Sequence, residues 1–327
     1  MTELIVLAGL VLLVLVHELG HFAAAKMFGI YVEEFGIGFP PRLFSKKYGE
    51  TRYSVNCIPL GGFVKLHGEL DSTQSRSFMR EKAWKRAIVL VAGVAMNFVA
   101  GALLFSTVLW MGVPPAVFIS EVVAGSPAEK AGLMQGDIVS GFTDPSAFTA
   151  YIKKNLGKKI TFSVTRHGVL EDVLITPRRR SPKGEGALGV GLVGGGAESA
   201  ELWDGFKGGF IMAYGTVQSI VLGLAAIVNE PQAIVGPIGI FRIAAGAGAI
   251  GFAYVLQLLA VISLNLAVLN LLPIPALDGG RLLFIVIEKI RRKQFSPKFE
   301  MRVQGLSFVF LLLLIVAVTI KDIVGLF

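Results

Sequence analysis

A chain of 327 residues that is 54% hydrophobic and only 17% charged is too apolar for a water-soluble globule, whose usual figures are about 45–50% and about 25%. Its single cysteine, Cys57, excludes an internal disulfide and any cysteine-rich zinc or iron–sulfur site. The net charge of +8 does not indicate nucleic acid, because Lys and Arg flank apolar runs and are not interleaved with aromatics along one soluble face.

Taken in chain order, four apolar stretches are each long enough to cross a hydrocarbon core about 30 Å thick: Leu4 to Met27, Ala87 to Met111, Phe252 to Leu272 and Val303 to Ile320. The expected fold is an α-helical polytopic membrane protein with four transmembrane helices, a membrane-associated β-hairpin and an inserted β/α domain. Basic residues orient the spans. Residues 22 to 86 hold 11 Lys/Arg against 6 Asp/Glu, and residues 281 to 302 hold 7 against 2, so both loops are expected in the cytosol. Residues 112 to 250, at 12 against 11, are expected outside. Met1-Thr2-Glu3 carries no basic region ahead of the first apolar run, which reads as a retained span and not a cleaved signal. A fifth apolar stretch, Phe210 to Val228, would invert every later segment if it crossed. It is therefore expected to lie in the headgroup layer as an amphipathic helix.

After the first span, Gly36-Ile37-Gly38-Phe39-Pro40-Pro41, Thr51 to Asn56 and Ile58 to Leu66 are β-favouring runs punctuated by Gly and Pro, the pattern of a hairpin. Such a hairpin can dip toward the membrane where protein or water satisfies its backbone. Residues 115 to 178 form a soluble domain. Val117, Ile119 and Val122 alternate, Ser126-Pro127 caps a short helix, Gly136-Asp137 turns into a strand, and further strands are expected near Lys159 to Arg166 and Asp172 to Thr176. The pattern resembles a PDZ domain, a fold that binds extended peptides by strand addition. Arg178-Arg179-Arg180-Ser181-Pro182-Lys183 and the glycines up to Gly196 read as a solvated linker, in preference to a patch for anionic lipid.

The sharpest chemical signal is His17-Glu18-Leu19-Gly20-His21, inside the first span. Residues i and i+4 share one helix face, so His17 and His21 can reach one metal ion while Glu18 stands beside it to handle a proton of water. An ionisable cluster at the centre of an apolar helix costs on the order of 3 kcal/mol per charged group, so it needs partners. Catalytic zinc takes three protein ligands and keeps one open position. Of the other histidines, His67 falls in the hairpin and His167 in the outer domain, and neither has a supporting motif. Asp278 is the better third ligand, in Asn270-Leu271-Leu272-Pro273-Ile274-Pro275-Ala276-Leu277-Asp278-Gly279-Gly280, where two prolines break the third span and two glycines permit close backbone approach. The competing reading makes Asp278 a helix N-cap. Topology favours the ligand: His17 to His21 lie about 20 Å along the first span, and the third span brings Asp278 to the same end.

With these residues in place the chain resembles the site-two proteases, zinc intramembrane metalloproteases, and most closely the bacterial regulator-of-sigma-E-protease-like branch. The resemblance rests on the His-Glu-x-x-His span, Pro59-Leu60-Gly61-Gly62-Phe63-Val64-Lys65, a second span bearing Asn97, a PDZ domain, Gly236-Pro237-Ile238-Gly239-Ile240 and Asn-x-x-Pro-x-Pro-x-Leu-Asp-Gly-Gly. It implies that His17, His21 and Asp278 bind Zn2+, that Glu18 is the catalytic base, and that Asn270 contacts the substrate backbone or the developing oxyanion. It implies a hairpin that pairs with substrate and a PDZ domain that guards access from outside. The implied substrates are single-span membrane proteins such as anti-sigma factors and signal-peptide remnants, cut in regulated intramembrane proteolysis in the bacterial inner membrane. Membrane lipid and a PDZ-bound peptide or substrate ectodomain are the further expected partners, and nucleic acid is not one. Val94 stands where such proteins commonly have proline, and one PDZ domain is present where enterobacterial relatives have two.

The expected partition is therefore a first span over 1–29, the hairpin region over 30–84, a second span over 85–112, the PDZ domain over 113–180, linker and interfacial helix over 181–250, the third span over 251–290 and the fourth over 300–323. A metal transporter is the contrasting reading, disfavoured because one His pair and one Asp make a closed site with no second site along a path. A catalytically dead scaffold has no need of Glu18 and three ligands.

Overall fold

The computed structural model describes residues 2–69, 75–166, 169–182, 185–197, 199–227, 236, 239–240 and 251–324. Among these, four helices are long and apolar enough to cross a membrane: Leu4–Met27, Ala83–Met111, Phe252–Asn270 and Pro297–Ile323. Helix α1 (Thr2–Met27) ends where Gly29 takes a left-handed φ of 73° and the Ile30 N–H turns back to the Ala25 carbonyl, a conformation glycine adopts without steric cost.

Strands β1 (Val32–Tyr48) and β2 (Thr51–Leu66) follow as one long bent ribbon. Its register is irregular in an informative way. Residues 34–37 pair on one side with 52–55 and on the other with 62–65, while 42–48 pair with 51–56. The 62–66 segment is thereby left as an edge. The ribbon lies along α1: the Glu50 carboxylate receives Lys26 Nζ at 2.7 Å near the helix end, and Gly62 packs against Leu15 and Glu18. Arg76 and Lys26 hold the exposed Glu50 carboxyl down to about 2 from an ordinary 4.5. A depressed carboxyl pKa means that this clamp is intact above pH 4.5 and lost as pH falls toward 2.

Helix α2 (Ala83–Met111) stops at Gly112, whose φ is 68°. It is the central strut, packing on α1, on α5 (Leu202–Ile227) and on α6 (Phe252–Asn270). Close approach is set by glycine. A Cβ on Gly20 of α1 would lie 2.4 Å from the Ala92 carbonyl oxygen, and one on Gly101 would lie 2.8 Å from Leu264. Small residues of this kind let membrane helices meet backbone to backbone.

Outside the helices stands a five-stranded antiparallel sheet with order β6-β5-β4-β3-β7, formed by β3 (Val113–Val122), β4 (Ile138–Val139), β5 (Ile160–Arg166), β6 (Val169–Ile175) and β7 (Val190–Ala197). Its core is Val117, Ile119, Val139, Phe148, Ile152, Val164 and Val173. Helix α3 (Pro127–Lys130) is capped by Ser126 Oγ, and α4 (Pro145–Lys154) by Asp144, each carboxylate or hydroxyl satisfying a backbone N–H of the first turn. The domain therefore reaches beyond residue 180, and the linker reading of its glycine-rich end gives way. Val190–Ala197 is a strand paired with β3, and its glycines make room for the sheet's own side chains: a Cβ on Gly195 would lie 2.4 Å from the Phe118 ring.

One further expectation changes. Helix α5 is not laid flat on the bundle. Trp110 Nε1 donates to the Leu202 carbonyl, Gly209 sits against Ser106 and Ala102, and Ala213 is buried with Phe105 and Leu264. The helix runs antiparallel to α2 with its small residues turned inward, because Gly205, Gly208 and Gly209 form a smooth stripe that fits α2 better than it fits a headgroup layer. Val228, the last residue of that expected helix, lies outside the described residues. The 251–290 segment assigned to the third span is two helices, broken at the prolines as the sequence indicates. The first ends at Asn270, the chain turns through Leu271–Leu277, and the second is the amphipathic helix α7 (Asp278–Arg291). Pro273 and Pro275 remove backbone donors at this break. Helix α8 (Pro297–Val324) is the last described element and leaves Leu306, Phe308, Phe310 and Leu313 exposed, as a lipid-facing span requires.

Candidate metal centre

The break after α6 and the first turn of α7 bring Asp278 to the histidines of α1. Asp278 Oδ2 lies 3.0 Å from His17 Nε2 and 3.2 Å from His21 Nε2, and the two Nε2 atoms are 3.1 Å apart. Both imidazoles are buried. Helix α7 has no side-chain cap at its start, so the Asp278 carboxylate is committed to the histidines and not to its own backbone. The glycine pair after it permits the turn. A Cβ on Gly279 would lie 2.2 Å from the Leu271 carbonyl oxygen, and one on Gly280 would lie 2.2 Å from that of Ile274.

Three acceptor-capable atoms so close together suit a cation. Ligand bonds of about 2.0–2.1 Å in a tetrahedral site place donor atoms roughly 3.3–3.4 Å apart, near the separations found here. The outer sides of both rings are arranged to match. His21 Nδ1 lies 2.8 Å from the Val89 carbonyl oxygen, which can only accept, so this nitrogen carries the proton and Nε2 keeps its lone pair for the cavity. His17 Nδ1 lies 3.2 Å from the Asn97 side-chain nitrogen, while Asn97 Oδ1 is buried without a partner. Exchanging the amide's O and N, which are assigned from their hydrogen bonds, lets Oδ1 accept from a protonated Nδ1 and frees Nε2 of His17 as well. The orphaned oxygen is thus accounted for if His17 binds a metal through Nε2.

The same centre opens into a cavity of about 330 Å3 whose walls include Glu18, Phe63, Val64, Asn97, Asn270 and Arg281. The Glu18 side chain lies in this cavity beside Gly62 and Val64 of the edge segment of the ribbon. Asn270 Nδ2 stands 3.5 Å from His17 Nε2. All five residues singled out from sequence, His17, Glu18, His21, Asn270 and Asp278, therefore meet in one cavity. His67 does not join them; its Nδ1 is 2.7 Å from Glu33 Oε1. His167 and the Pro237-Ile238 pair of the Gly-Pro-Ile-Gly-Ile run lie outside the described residues.

Sequence reasoning missed Gly93, against which both imidazoles lie, and the Val89 carbonyl that orients His21. It also missed the tie at the far end of α7. Arg86 of α2 and Glu288 of α7, both buried, pair at 3.0 Å, and Glu288 also accepts the Phe295 N–H. This pair fixes α7 on α2 and, with it, Asp278 beside the histidines. Removing one partner strands the other as a buried charge. Glu288→Ala is therefore expected to cost about 3–5 kcal/mol, read as a lowered thermal unfolding midpoint in detergent; an unchanged midpoint would contradict this role.

Comparison with known proteins agrees with this geometry. The profile described as Peptidase family M50 matches residues 5–314. The chain is 37% identical over 324 residues to a candidate zinc metalloprotease of Clostridium perfringens, with 95% of each chain covered. It is 33% identical to another of Fusobacterium nucleatum over the full length of both. A protein of Oceanobacillus iheyensis named zinc metalloprotease RasP is 28% identical, with 96% of this chain and 97% of the relative covered.

Proposed function

This chain belongs to peptidase family M50, and on that premise we propose that it is a zinc-dependent endopeptidase that cuts single-span membrane proteins within the bilayer. The carrying observation is the convergence of His17, His21 and Asp278 on one point beside Glu18 in a helix long and apolar enough to span. His17, His21 and Asp278 would hold the metal. Zinc in such a site acts as a Lewis acid and makes water a competent nucleophile at neutral pH.

The protein's own groups supply the rest. Glu18 takes the proton of the attacking water and returns it to the departing amine. Asn270 directs its amide N–H groups at the oxygen on which charge develops, where a preorganised donor counts most. The ribbon edge at Phe63–Leu66 offers unpaired backbone groups beside Glu18, so a substrate segment can add there as a strand. That pairing suits the chemistry, because a helical substrate hides its carbonyls in its own hydrogen bonds and must be held extended to be cut. Asn97 and Val89 keep the two imidazoles in the tautomer that leaves Nε2 free.

We read the five-stranded domain as PDZ-like, placed outside a bacterial inner membrane with the metal centre toward the cytosolic side. In this reading it screens substrate ectodomains, and the substrates include anti-sigma factors and signal-peptide remnants in regulated intramembrane proteolysis. Purified protein incubated in vesicles with a single-span substrate tests the proposal. Cleavage is expected to stop on treatment with a zinc chelator such as 1,10-phenanthroline and to return when zinc is added back. Chelation with no effect would remove the metal from the mechanism, and metal flux without cleavage would favour transport.

A further inference from the structure

A second cavity, of about 250 Å3, lies between α1 and the ribbon and shares no lining residue with the catalytic one. Its helix wall is Leu19 and Phe22. At about 100° per residue, Leu19 stands on the face of α1 turned away from His17 and His21. Its sheet wall is Phe35, Ile37, Phe44, Tyr53 and Val55, with Lys46 at the mouth. Leu19, Phe44 and Val55 are exposed. Because Leu19 and Phe22 belong to a membrane span, the medium against this cavity is hydrocarbon.

Charge identifies the occupant more closely. Lys46 pairs with Tyr53 on the cavity face of the ribbon, while Lys47 and Arg52 pair with each other on the opposite face, because successive strand residues alternate; all three are exposed. None of the three makes an ion pair among the described residues. The other cations nearby do: Lys26 with Glu50, Arg42 with Glu34, Lys65 with Glu33 and Arg76 with Glu50. The turn at Glu50 is tied to Lys26 in the last turn of α1, which sets these cations near the end of the span, at headgroup level. We propose that the cavity is a binding site for an anionic phospholipid, with an acyl chain between α1 and the ribbon and the phosphate held by Lys46 at its mouth, the Lys47–Arg52 pair on the opposite face adding positive potential at the same level. A substrate strand adding at the Phe63–Leu66 edge would lie across residues 34–37 from this trio, so the lipid would brace the sheet without blocking the cut.

The test uses the full chain in phosphatidylcholine vesicles doped with either phosphatidylglycerol or phosphatidylcholine carrying a diazirine in one acyl chain, with labelled peptides mapped by mass spectrometry. Phosphatidylglycerol label is expected to concentrate on peptides containing residues 19–22 and 44–55, about tenfold above the phosphatidylcholine probe, since juxtamembrane basic clusters select anionic lipid. Lys46→Glu should erase that headgroup preference. Val55→Trp, which fills the cavity, should remove the label while metal content stays normal. Label spread evenly over the spans, equal labelling by the two probes, or displacement of the label by a single-span peptide substrate would each overturn the proposal. The comparison of the two probes on the unaltered protein decides the matter even if the variants fail to fold.

Discussion

Glu18→Gln should reduce cleavage of a reconstituted single-span substrate by about 10²–10⁴-fold or more, the range that a positioned general base contributes, without disturbing metal content or fold. The side chain keeps its length and shape, and it is not one of the three clustered donors. What it loses is the basic oxygen that receives a proton from water. Glu18→Asp separates proton transfer from mere occupancy, because it keeps the carboxylate but withdraws it by one methylene. A misplacement of about 1 Å can cost on the order of 10²-fold, so this variant should be impaired yet measurably better than Gln. Metal content by elemental analysis is expected to match the unaltered protein in both. Full activity in Glu18→Gln would remove Glu18 as the base, and loss of metal in that variant would make it a ligand.

Much of this centre was legible because its residues break the rules of their surroundings. A His-Glu-x-x-His run in an apolar helix, and Asp278 beyond two prolines and before two glycines, are expensive or disruptive locally and point to a tertiary reason. The ends of α1, α2 and α6 were also readable, since hydropathy reports span length directly. What escaped was whatever depends on the identity of a neighbour. Glycine in a membrane helix is ordinary, so nothing in the sequence distinguishes Gly93, which lies against imidazoles, from Gly101, which lies against Leu264. The same ambiguity turned α5 into an interfacial helix. Its inward stripe of Gly205, Gly208 and Gly209 has meaning only once Trp110, Leu109 and Ser106 are known to face it. In the five-stranded domain Val190–Ala197 carries too many glycines to signal a strand, yet those glycines are what let it lie against Phe118. The Val89 carbonyl, being backbone, has no sequence signature at all.

Helix α7 adds a step that composition could not supply. Its amphipathic run carries a functional group at each end: Asp278 at the proposed metal centre and Glu288 on Arg86. The donor set is therefore assembled by two helices anchored independently to α2, α1 through the Gly20 contact and the His21–Val89 bond, α7 through the buried ion pair. With α2 as the common frame, substitutions on the lipid-facing surface should disturb the centre less than those on the α2 face that meets the histidines.

Gly93→Ala tests that frame with a single methyl group. A Cβ at this position would lie 2.5 Å from His21 Nε2, 2.6 Å from its Cε1 and 2.9 Å from His17 Cε1. Ordinary carbon contacts need about 3.5 Å or more, so the rings would have to retreat by roughly 1 Å. His21 cannot retreat freely, because its Nδ1 is bound to the Val89 carbonyl one turn earlier on the same helix. Nor can α1 lift away at small cost, since Gly20 is seated on the Ala92 carbonyl. The displaced atoms are the proposed metal-binding nitrogens, so the variant should lose at least about 10²-fold in cleavage and a comparable factor in zinc affinity. Gly101→Ala is the control on the same helix, where the added methyl meets the mobile end of Leu264 at 2.8 Å. It should perturb packing, costing about 1–3 kcal/mol of stability, while zinc affinity stays within a few-fold of the unaltered protein. The decisive measurement is zinc affinity of both variants by competition with a chromogenic chelator. Normal affinity and normal cleavage in Gly93→Ala would mean that the histidines do not rest on α2 as the structure has them, and equal loss in the two variants would reduce the effect to general packing.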